Sequence, residues 1–274
     1  MTEQRDRRVS EDEELLAAVE AVTREVGAWL ARRQADEPVA ATDRAGAFAA
    51  FAAVDGPASA QLRERLGALR PQAGWVDDEL AQELPATGEW WVCDATDGAV
   101  QYLLGLPQWA VTATLLREGE AVVAVVHAPL LGCTYTAVRG AGAQRNGARI
   151  APSRRELAAA VLATSQPPTV GADPVARRRA GESLTAVLGG PALAVRNLGP
   201  TALQVAQVGS GHLDAFWEYG PDAVNLLPGA LVATEAGAAV SDATGAPWTP
   251  AATSFLAAPP ARQGELLELL AAVR

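Results

Sequence analysis

Residues 74–105 read GWVDDELAQELPATGEWWVCDATDGAVQYLLG and carry the densest chemistry of the chain. Asp94 ends an apolar run in this stretch, and Asp97 and Gly98 follow shortly after it. A strand that ends in one acid, turns and presents a second acid can direct both carboxylates and the Thr96 carbonyl into one pocket. Mg²⁺ prefers hard oxygen ligands of this kind, so these residue types suit a magnesium site.

Three more acids, Asp77, Asp78 and Glu79, lie upstream in the same stretch. Packing so many carboxylates together raises the electrostatic energy unless a cation neutralises them, which favours Asp78 or Glu79 as a further ligand of the ion. The alternative is that these acids belong to a solvated loop, because acid-rich turns are common on protein surfaces. Spacing alone leaves both interpretations open.

Two helices are predicted ahead of this stretch. Ser10 followed by Glu13 matches a capping box, and apolar residues then recur at spacings of three and four, which predicts an amphipathic helix over residues 11–34. A second helix is predicted from near Asp43, with an interruption at residues 55–57, where Gly and Pro follow an Asp.

After the acidic motif the sequence changes to short apolar runs, which predict an antiparallel meander with a turn at Glu118 and Gly119. Beyond the meander, helix and strand patterns alternate. We therefore expect an α/β protein made of layered α+β subdomains. Residues 1–152 would carry the meander and the acidic motif, and residues 153–274 would complete a shared cleft.

The 274 residues carry 22 basic and 32 acidic side chains, which gives a formal charge of −10. A nucleic-acid-binding protein usually has the opposite charge, because it must neutralise phosphates. No apolar run reaches the ~18 residues that a membrane span needs. Two cysteines and two histidines predict neither a disulfide framework nor a zinc site, and the charged N-terminus lacks the apolar segment of a signal peptide. We therefore expect a cytoplasmic protein with a small-molecule substrate and neither nucleic acid nor a membrane as partner.

Four segments in order resemble the successive landmarks of the inositol monophosphatase family: GWVDDEL, WWVCDATDGAVQYLLG, GAGAQRNGARI and LDAFWEYGPDAVNLLPGALVATEAG. The acidic D-x-x-D-G core and the G-x-G-A-x-x-N-G hairpin are the specific parts of this likeness, which runs from about Val39 to the C-terminus. The resemblance implies a layered αβαβα sandwich, usually a homodimer, that hydrolyses small phosphate monoesters with two or three Mg²⁺ ions.

The resemblance also implies roles for individual residues. Asp78, or Glu79 in its place, would stand where the family has a Glu ligand. The complete set of metal ligands would be Asp78, Glu79, Asp94, the Thr96 carbonyl and Asp97. Asp43 would orient the hydroxyl that activates the attacking water, so that the catalytic group is Asp43, Asp94 and Asp97. The substrate would be held by Gly199, Pro200, Thr201, Glu218 and Asn225.

Three positions depart from the pattern of the family. The Asp that closes the second metal site falls on Asn225, and the Thr that follows D-G falls on Ala99, so the hydroxyl for Asp43 is missing. Asp78 is one methylene shorter than the usual Glu. We therefore expect one Mg²⁺ ion with a weak second site, because an amide oxygen is neutral, and a loss of about 10²-fold or more in rate from the missing hydroxyl.

Three functions and the roles of two acids stay open at this point. The first function is Mg²⁺-dependent hydrolysis of a polyol, sugar or nucleotide phosphate, slow or narrow in specificity. The second is a cyclase, isomerase or lyase of specialised metabolism that reuses the acidic pocket, and the third is a catalytically silent binding protein. Asp222 is either a replacement acid near Asn225 or an exposed loop residue, and Glu218 is either a substrate ligand or a solvent-facing strand residue.

Overall fold

The computed structural model describes residues 2–36, 41–78, 80–81 and 83–273. Its helices are α1 (Thr2–Asp36), α2 (Arg44–Leu69), α3 (Ala99–Leu103), α4 (Pro174–Leu188), α5 (Thr201–Gly209), α6 (Ala223–Glu235) and α7 (Pro260–Leu270). Its strands are β1 (Gly74–Trp75), β2 (Glu89–Asp97), β3 (Ala110–Arg117), β4 (Glu120–Ala128), β5 (Cys133–Val138), β6 (Gly142–Arg145), β7 (Ala148–Arg149), β8 (Val161–Thr164), β9 (Ala194–Arg196), β10 (Ala215–Tyr219), β11 (Ala239–Ser241) and β12 (Ser254–Ala258). Within these ranges no helix is both long enough and apolar enough to cross a bilayer.

The strands form two sheets. In the first sheet β1 to β7 lie side by side in chain order, and every neighbouring pair except the parallel β1 and β2 is antiparallel. The second sheet has the order β11-β12-β10-β8-β9, with β8 parallel to β9 and β10, and β12 antiparallel to both of its neighbours. The first sheet confirms the predicted antiparallel meander.

The sheets and helices stack in five layers. α1 and α2 bury Val26 and Leu62 against one face of the first sheet. α5 lies between the sheets, since it packs Leu203 on the other face of the first sheet and Val205 on the second sheet, and α6 does the same. α7 packs Leu266 on the outer face of the second sheet, beside α4. The arrangement confirms the αβαβα sandwich.

The tight connection between β3 and β4 depends on two residues. Glu118 and Gly119 have φ values of +50° and +76°. A type I′ turn needs positive φ at both central positions, and its twist matches that of the strands it joins. The turn expected at this dipeptide is confirmed.

Both N-terminal helices are more continuous than the sequence pattern predicts. α1 begins at Thr2 rather than near residue 11, so Ser10 lies inside the helix, and Arg7 and Glu11 form an ion pair of 3.1 Å one turn apart. Charged residues with good helix propensity extend this helix beyond the predicted capping box. α2 runs unbroken through Pro57, because burial of the residues that follow against the first sheet outweighs the lost hydrogen bond.

A buried histidine on β4 ties the stability of the fold to pH. His127 is only 7% exposed, and its Nδ1 lies 2.9 Å from the Oγ1 of Thr134. Burial, followed by the positive charge of Arg24, lowers the pKa of His127 to about 4. The folded protein therefore keeps this imidazole neutral at pH values at which the unfolded chain protonates it.

We expect His127 to make the protein less stable in acid. Below about pH 6.5 the unfolded chain binds a proton that the folded protein does not take up until about pH 4, so this group alone costs about 2 kcal/mol between pH 7 and pH 5. Urea unfolding of the wild type and of His127→Gln at both pH values measures the effect. The variant should lose about 2 kcal/mol less on acidification. Equal losses in the two proteins would contradict the assignment.

Candidate active site

A β-bulge in β2 turns the two acids of the D-x-x-D motif to the same side of the first sheet. Asp94 pairs with Thr112 of β3, and Asp97 pairs with Ala110. The two acids are thus three positions apart on β2, whereas their partners are only two positions apart on β3, which means that β2 contains one extra residue. Residues three apart on a regular strand point to opposite faces, and one inserted residue cancels that alternation. Ala110, the partner of Asp97, packs in the core shared with α5 and α6. Residues paired across two strands point to the same face of a sheet. Both carboxylates therefore face these two helices.

Both carboxylates of the motif are buried, Asp94 with 8% and Asp97 with 5% of its surface exposed. The Oδ1 of Asp94 accepts the backbone N–H of Thr96 at 2.7 Å, which fixes the bulge. Gly98 follows with a φ of +95°, and a Cβ at this position would lie 3.2 Å from the carbonyl oxygen of Gln108. The end of β2 is therefore held in a conformation that requires a glycine directly after the second acid.

Glu218 reaches this region from β10 of the second sheet. It is 1% exposed, and its Oε2 accepts the hydroxyl of Thr201 at 3.3 Å. Burial, and then the negative charges of Asp222 and Asp97, raise the pKa of Glu218 well above its usual range. The end of β10 therefore lies close to the end of β2. The alternative of a solvent-facing strand residue is wrong.

Asp222 directly precedes α6 and is 6% exposed, so the alternative of an exposed loop acid is also wrong. Its Oδ1 accepts the side-chain amide of Asn225 at 2.7 Å. Burial raises the pKa of Asp222, whereas hydrogen bonds from Glu218, Asn225 and Thr201 act in the opposite direction. Asn225, which is expected to contact the substrate, thus donates one N–H of its side-chain amide to Asp222.

The turn at residues 199–201 packs beside the loop that follows the acidic motif. Gly199 has a φ of +133°, and a Cβ there would lie 2.8 Å from the Cβ of Gln108. The side-chain amide of Gln204, which is 1% exposed, donates to the Gly199 carbonyl at 2.8 Å. The sequence alone does not identify Gln204 as a residue of this turn, because a single Gln in an apolar helix does not reveal which backbone group it reaches.

Two of the residues expected in the site lie at the surface. Asp43 is exposed and caps α2, where its Oδ1 accepts the backbone N–H of Gly46 at 2.7 Å. Asp78 is exposed, and its Oδ1 accepts the backbone N–H of Leu80 at 2.9 Å. Glu79 lies outside the described residues. The catalytic role of Asp43 and the ligand roles of Asp78 and Glu79 stay predictions.

The side chains that the fold brings together are buried, except for the half-buried Asn225, and come from both sheets and from the helices between them. They are Asp94, Asp97, Thr201, Glu218, Asp222 and Asn225. Four of these six are carboxylic acids in a region with little solvent. Such a group can bind a cation, hold a proton and accept hydrogen bonds from the hydroxyls of a ligand.

The donor set at the end of β2 fits one Mg²⁺ ion. Such an ion usually takes one or two carboxylates and completes its shell with water and substrate phosphate, so Asp94, Asp97 and the Thr96 carbonyl suffice. In the described part of the chain, no three His, Cys, Asp or Glu side chains are placed to hold a metal ion. The protein side chains there therefore do not form a complete coordination shell. At the expected second site, Asn225 offers an amide in place of a carboxylate.

Comparison with known sequences agrees with the resemblance noted above. The profile described as "Inositol monophosphatase family" matches residues 11–274. An "Inositol-1-monophosphatase" of Rhizobium meliloti is 34% identical over 189 residues, which are 67% of this chain and 68% of the relative. A "Nus factor SuhB" of Escherichia coli is 34% identical over 197 residues, which are 70% of this chain and 71% of the relative.

Solved structures share the fold. The inositol monophosphatase of Anabaena superposes with a TM-score of 0.79 over 96% of this chain and 98% of its own, at 23% identity. SuhB of Mycobacterium tuberculosis superposes with a TM-score of 0.76 over 95% of this chain and 96% of its own, at 28% identity. The likeness therefore extends over nearly all of both chains.

Proposed function

Because this chain belongs to the inositol monophosphatase family, we propose that it hydrolyses a small phosphate monoester, such as a polyol, sugar or nucleotide phosphate, with one Mg²⁺ ion. The observation that carries the proposal is the bulge in β2, which turns Asp94 and Asp97 toward the helices between the sheets. Asp97 lies close enough to the buried Glu218 for its negative charge to raise the pKa of that acid. A phosphate beside Asp94 and Asp97 would place its organic group beside Glu218.

Hydrolysis of a phosphate monoester requires neutralisation of the phosphate charge, a water molecule in line and stabilisation of the leaving oxygen. When bound at Asp94, Asp97 and the Thr96 carbonyl, Mg²⁺ supplies a Lewis acid for the phosphoryl oxygens. Thr201 and Glu218 bind and orient substrate hydroxyls. The low exposure of these side chains excludes bulk water, which strengthens each electrostatic interaction in the site.

A second candidate is proton-transfer chemistry on the same scaffold, as in a cyclase, isomerase or lyase. The observation that favours it is the buried acid pair of Glu218 and Asp222, which is placed for acid–base work and needs no metal ion. A metal-independent reaction that is lost on Glu218→Gln would support this candidate. Ligand binding in a calorimeter without turnover would instead indicate a silent binding protein.

We further propose that the protein works as a homodimer in the cytoplasm on a small molecule. The dimer rests on the family resemblance, and its test is the molar mass in solution measured by light scattering. The net charge of −10 opposes direct binding to nucleic acid, because phosphate backbones attract basic surfaces.

Restoring the family's pattern should raise phosphatase activity. We expect Ala99→Thr combined with Asn225→Asp to release phosphate from small monoesters about 10²-fold faster, because it adds the missing hydroxyl and a third carboxylate. The same variant should saturate at a lower Mg²⁺ concentration. Release of inorganic phosphate from a panel of monoesters, measured against Mg²⁺ concentration, tests both expectations.

The matched control is Ala99→Val combined with Asn225→Asp, because Val has the shape of Thr without its hydroxyl. This control should gain Mg²⁺ affinity but little turnover. The phosphatase proposal would be overturned if neither the wild type nor the restored variant released phosphate from any monoester.

A further inference from the structure

The segment that joins β9 to α5 has no regular secondary structure, so its backbone groups need hydrogen-bond partners outside a helix or a sheet. The side chain of Gln204 on α5 is such a partner. Its Oε1 accepts the backbone N–H of Leu198 at 2.9 Å, and its Nε2 donates to the carbonyl oxygen of Gly199 at 2.8 Å. Because Gln204 is only 1% exposed, water does not compete for its amide. One side chain thus holds two consecutive residues of the segment in place.

The same segment lies close to the loop that follows the acidic motif. Gly199 has a φ of +133°, and a Cβ there would lie 3.1 Å from the carbonyl oxygen of Gln108. A Cβ at Gly98, directly after Asp97, would lie 3.2 Å from the same oxygen. The backbone of Gln108 therefore lies next to both the end of β2 and the segment that Gln204 holds. A shift of this segment would change its position relative to the acidic motif.

The segment leads into Thr201, the first residue of α5. The Oγ1 of Thr201 donates to the Oε2 of Glu218 on β10 at 3.3 Å, and both side chains are buried. Pro200, which caps this end of α5, makes no side-chain hydrogen bond to the helix. Instead, the backbone N–H of Gln204 donates to the carbonyl oxygen of Pro200 at 3.1 Å. The main chain and the side chain of Gln204 together therefore fix the start of the helix that carries the Thr201 hydroxyl.

Building on the proposed function, in which residues 199–201 contact the substrate, we propose that Gln204 is a positioning residue for the organic group of the phosphate ester. Gln204 does not touch the substrate itself. Its amide keeps Gly199 and Thr201 in the arrangement that the substrate hydroxyls meet, so that binding does not have to order the segment. The phosphate reacts at the end of β2, away from this amide. Gln204 therefore contributes to the affinity for hydroxyl-bearing substrates rather than to the chemical step.

Two esters with different organic groups test this role. The ring of myo-inositol 1-phosphate carries free hydroxyls, whereas that of p-nitrophenyl phosphate carries none. Gln204→Met keeps the length of the side chain but leaves the N–H of Leu198 and the carbonyl oxygen of Gly199 without their partner. We expect KM for the inositol ester to rise about tenfold, kcat to fall less than about threefold, and KM for the aryl ester to change less than about twofold. A loss of stability alone would not separate the two esters.

Gln207→Met is the matched control on the same helix. Gln207 is half-buried, and its Oε1 accepts no hydrogen bond in the described part of the chain. The same change of side chain at this position therefore leaves the hydrogen bonds of Leu198 and Gly199 intact. KM and kcat for both esters should stay within about twofold of the wild type.

Gly199→Ala moves the segment by a different contact. The added methyl group would lie 2.8 Å from the Cβ of Gln108, and a φ of +133° is strained for alanine. We expect the same pattern as in Gln204→Met, with a larger rise in KM for the inositol ester than for the aryl ester. This variant carries the test if Gln204→Met does not fold, which thermal melting of each variant determines.

The outcomes separate this inference from the proposed function. Equal changes in KM for both esters, or an unchanged KM for the inositol ester in folded Gln204→Met, would overturn the positioning role and leave the phosphatase intact. An unchanged KM in Gly199→Ala would do the same where that variant carries the test. A wild type without activity on any monoester would overturn the proposed function and this inference with it, whereas activity confined to esters without hydroxyls would overturn this inference alone.

Discussion

Asp94→Asn should lower kcat/KM for phosphate release about 10³-fold, which corresponds to about 4 kcal/mol of transition-state stabilisation. The amide oxygen of Asn can still accept the N–H of Thr96, so the bulge at the end of β2 is kept. What disappears is one of the two charges at the end of this strand, and a single remaining carboxylate holds Mg²⁺ weakly. Steady-state kinetics at several Mg²⁺ concentrations measure the loss.

The control for this variant is Asp173→Asn. Asp173 caps α4 by accepting two backbone N–H groups at 2.9 Å, and Asn caps helices about as well as Asp. The same chemical change outside the site should therefore leave kcat/KM unchanged. An Asp94→Asn protein that keeps its activity and its dependence on Mg²⁺ would show that the D-x-x-D motif is not the metal site.

Gly229→Val should destabilise the protein by about 3 kcal/mol or slightly more and lower its melting temperature by about 8 °C. Gly229 lies on α6 where this helix crosses α5, and a Cβ would lie 2.7 Å from both the Ala202 carbonyl oxygen and the Cβ of Val205. Neither contact can move aside without displacing the α5 backbone. Because α5 and α6 fill the space between the sheets, the displacement reaches both cores.

Gly181→Val provides the matched comparison. Gly181 lies within α4, is exposed, and would have no atom within 4 Å of an added Cβ. Val has a slightly better helix propensity than Gly, so this variant should melt within about 2 °C of the wild type. Urea denaturation of both variants measures the free energy of unfolding. Equal effects at the two positions would mean that the helix crossing is less tightly packed than these distances indicate.

Sequence patterns predict the strands of the first sheet better than they predict the site, whereas the five layers follow from the family resemblance. The meander and its turn at Glu118 and Gly119 follow from local preferences, because alternation and positive φ are properties of neighbouring residues. The unbroken α2 does not follow from them. Its continuity through Pro57 depends on burial against a sheet that is formed by residues far away in the sequence.

The acids of the site show where sequence reasoning stops. Spacing predicts that Asp94 and Asp97 act together, but their shared direction comes from the bulge, which only the register with β3 defines. The burial of Asp222 depends on tertiary packing around the turn before α6, and no local pattern separates it from an exposed loop acid. Asp78, by contrast, is expected to be a metal ligand but lies exposed at the surface, where its side chain accepts a hydrogen bond from the backbone of its own loop.

The extra residue in β2 also bears on how such proteins change over evolutionary time. The number of residues between Asp94 and Asp97, rather than the chemistry of the intervening side chains, sets the direction in which the two acids point. An insertion or deletion of one residue in this segment would therefore turn one of the two acids to the other face, whereas substitutions such as those at positions 99 and 225 do not change the residue count. New reactions can accordingly arise on this scaffold by point substitution around a segment of constant length.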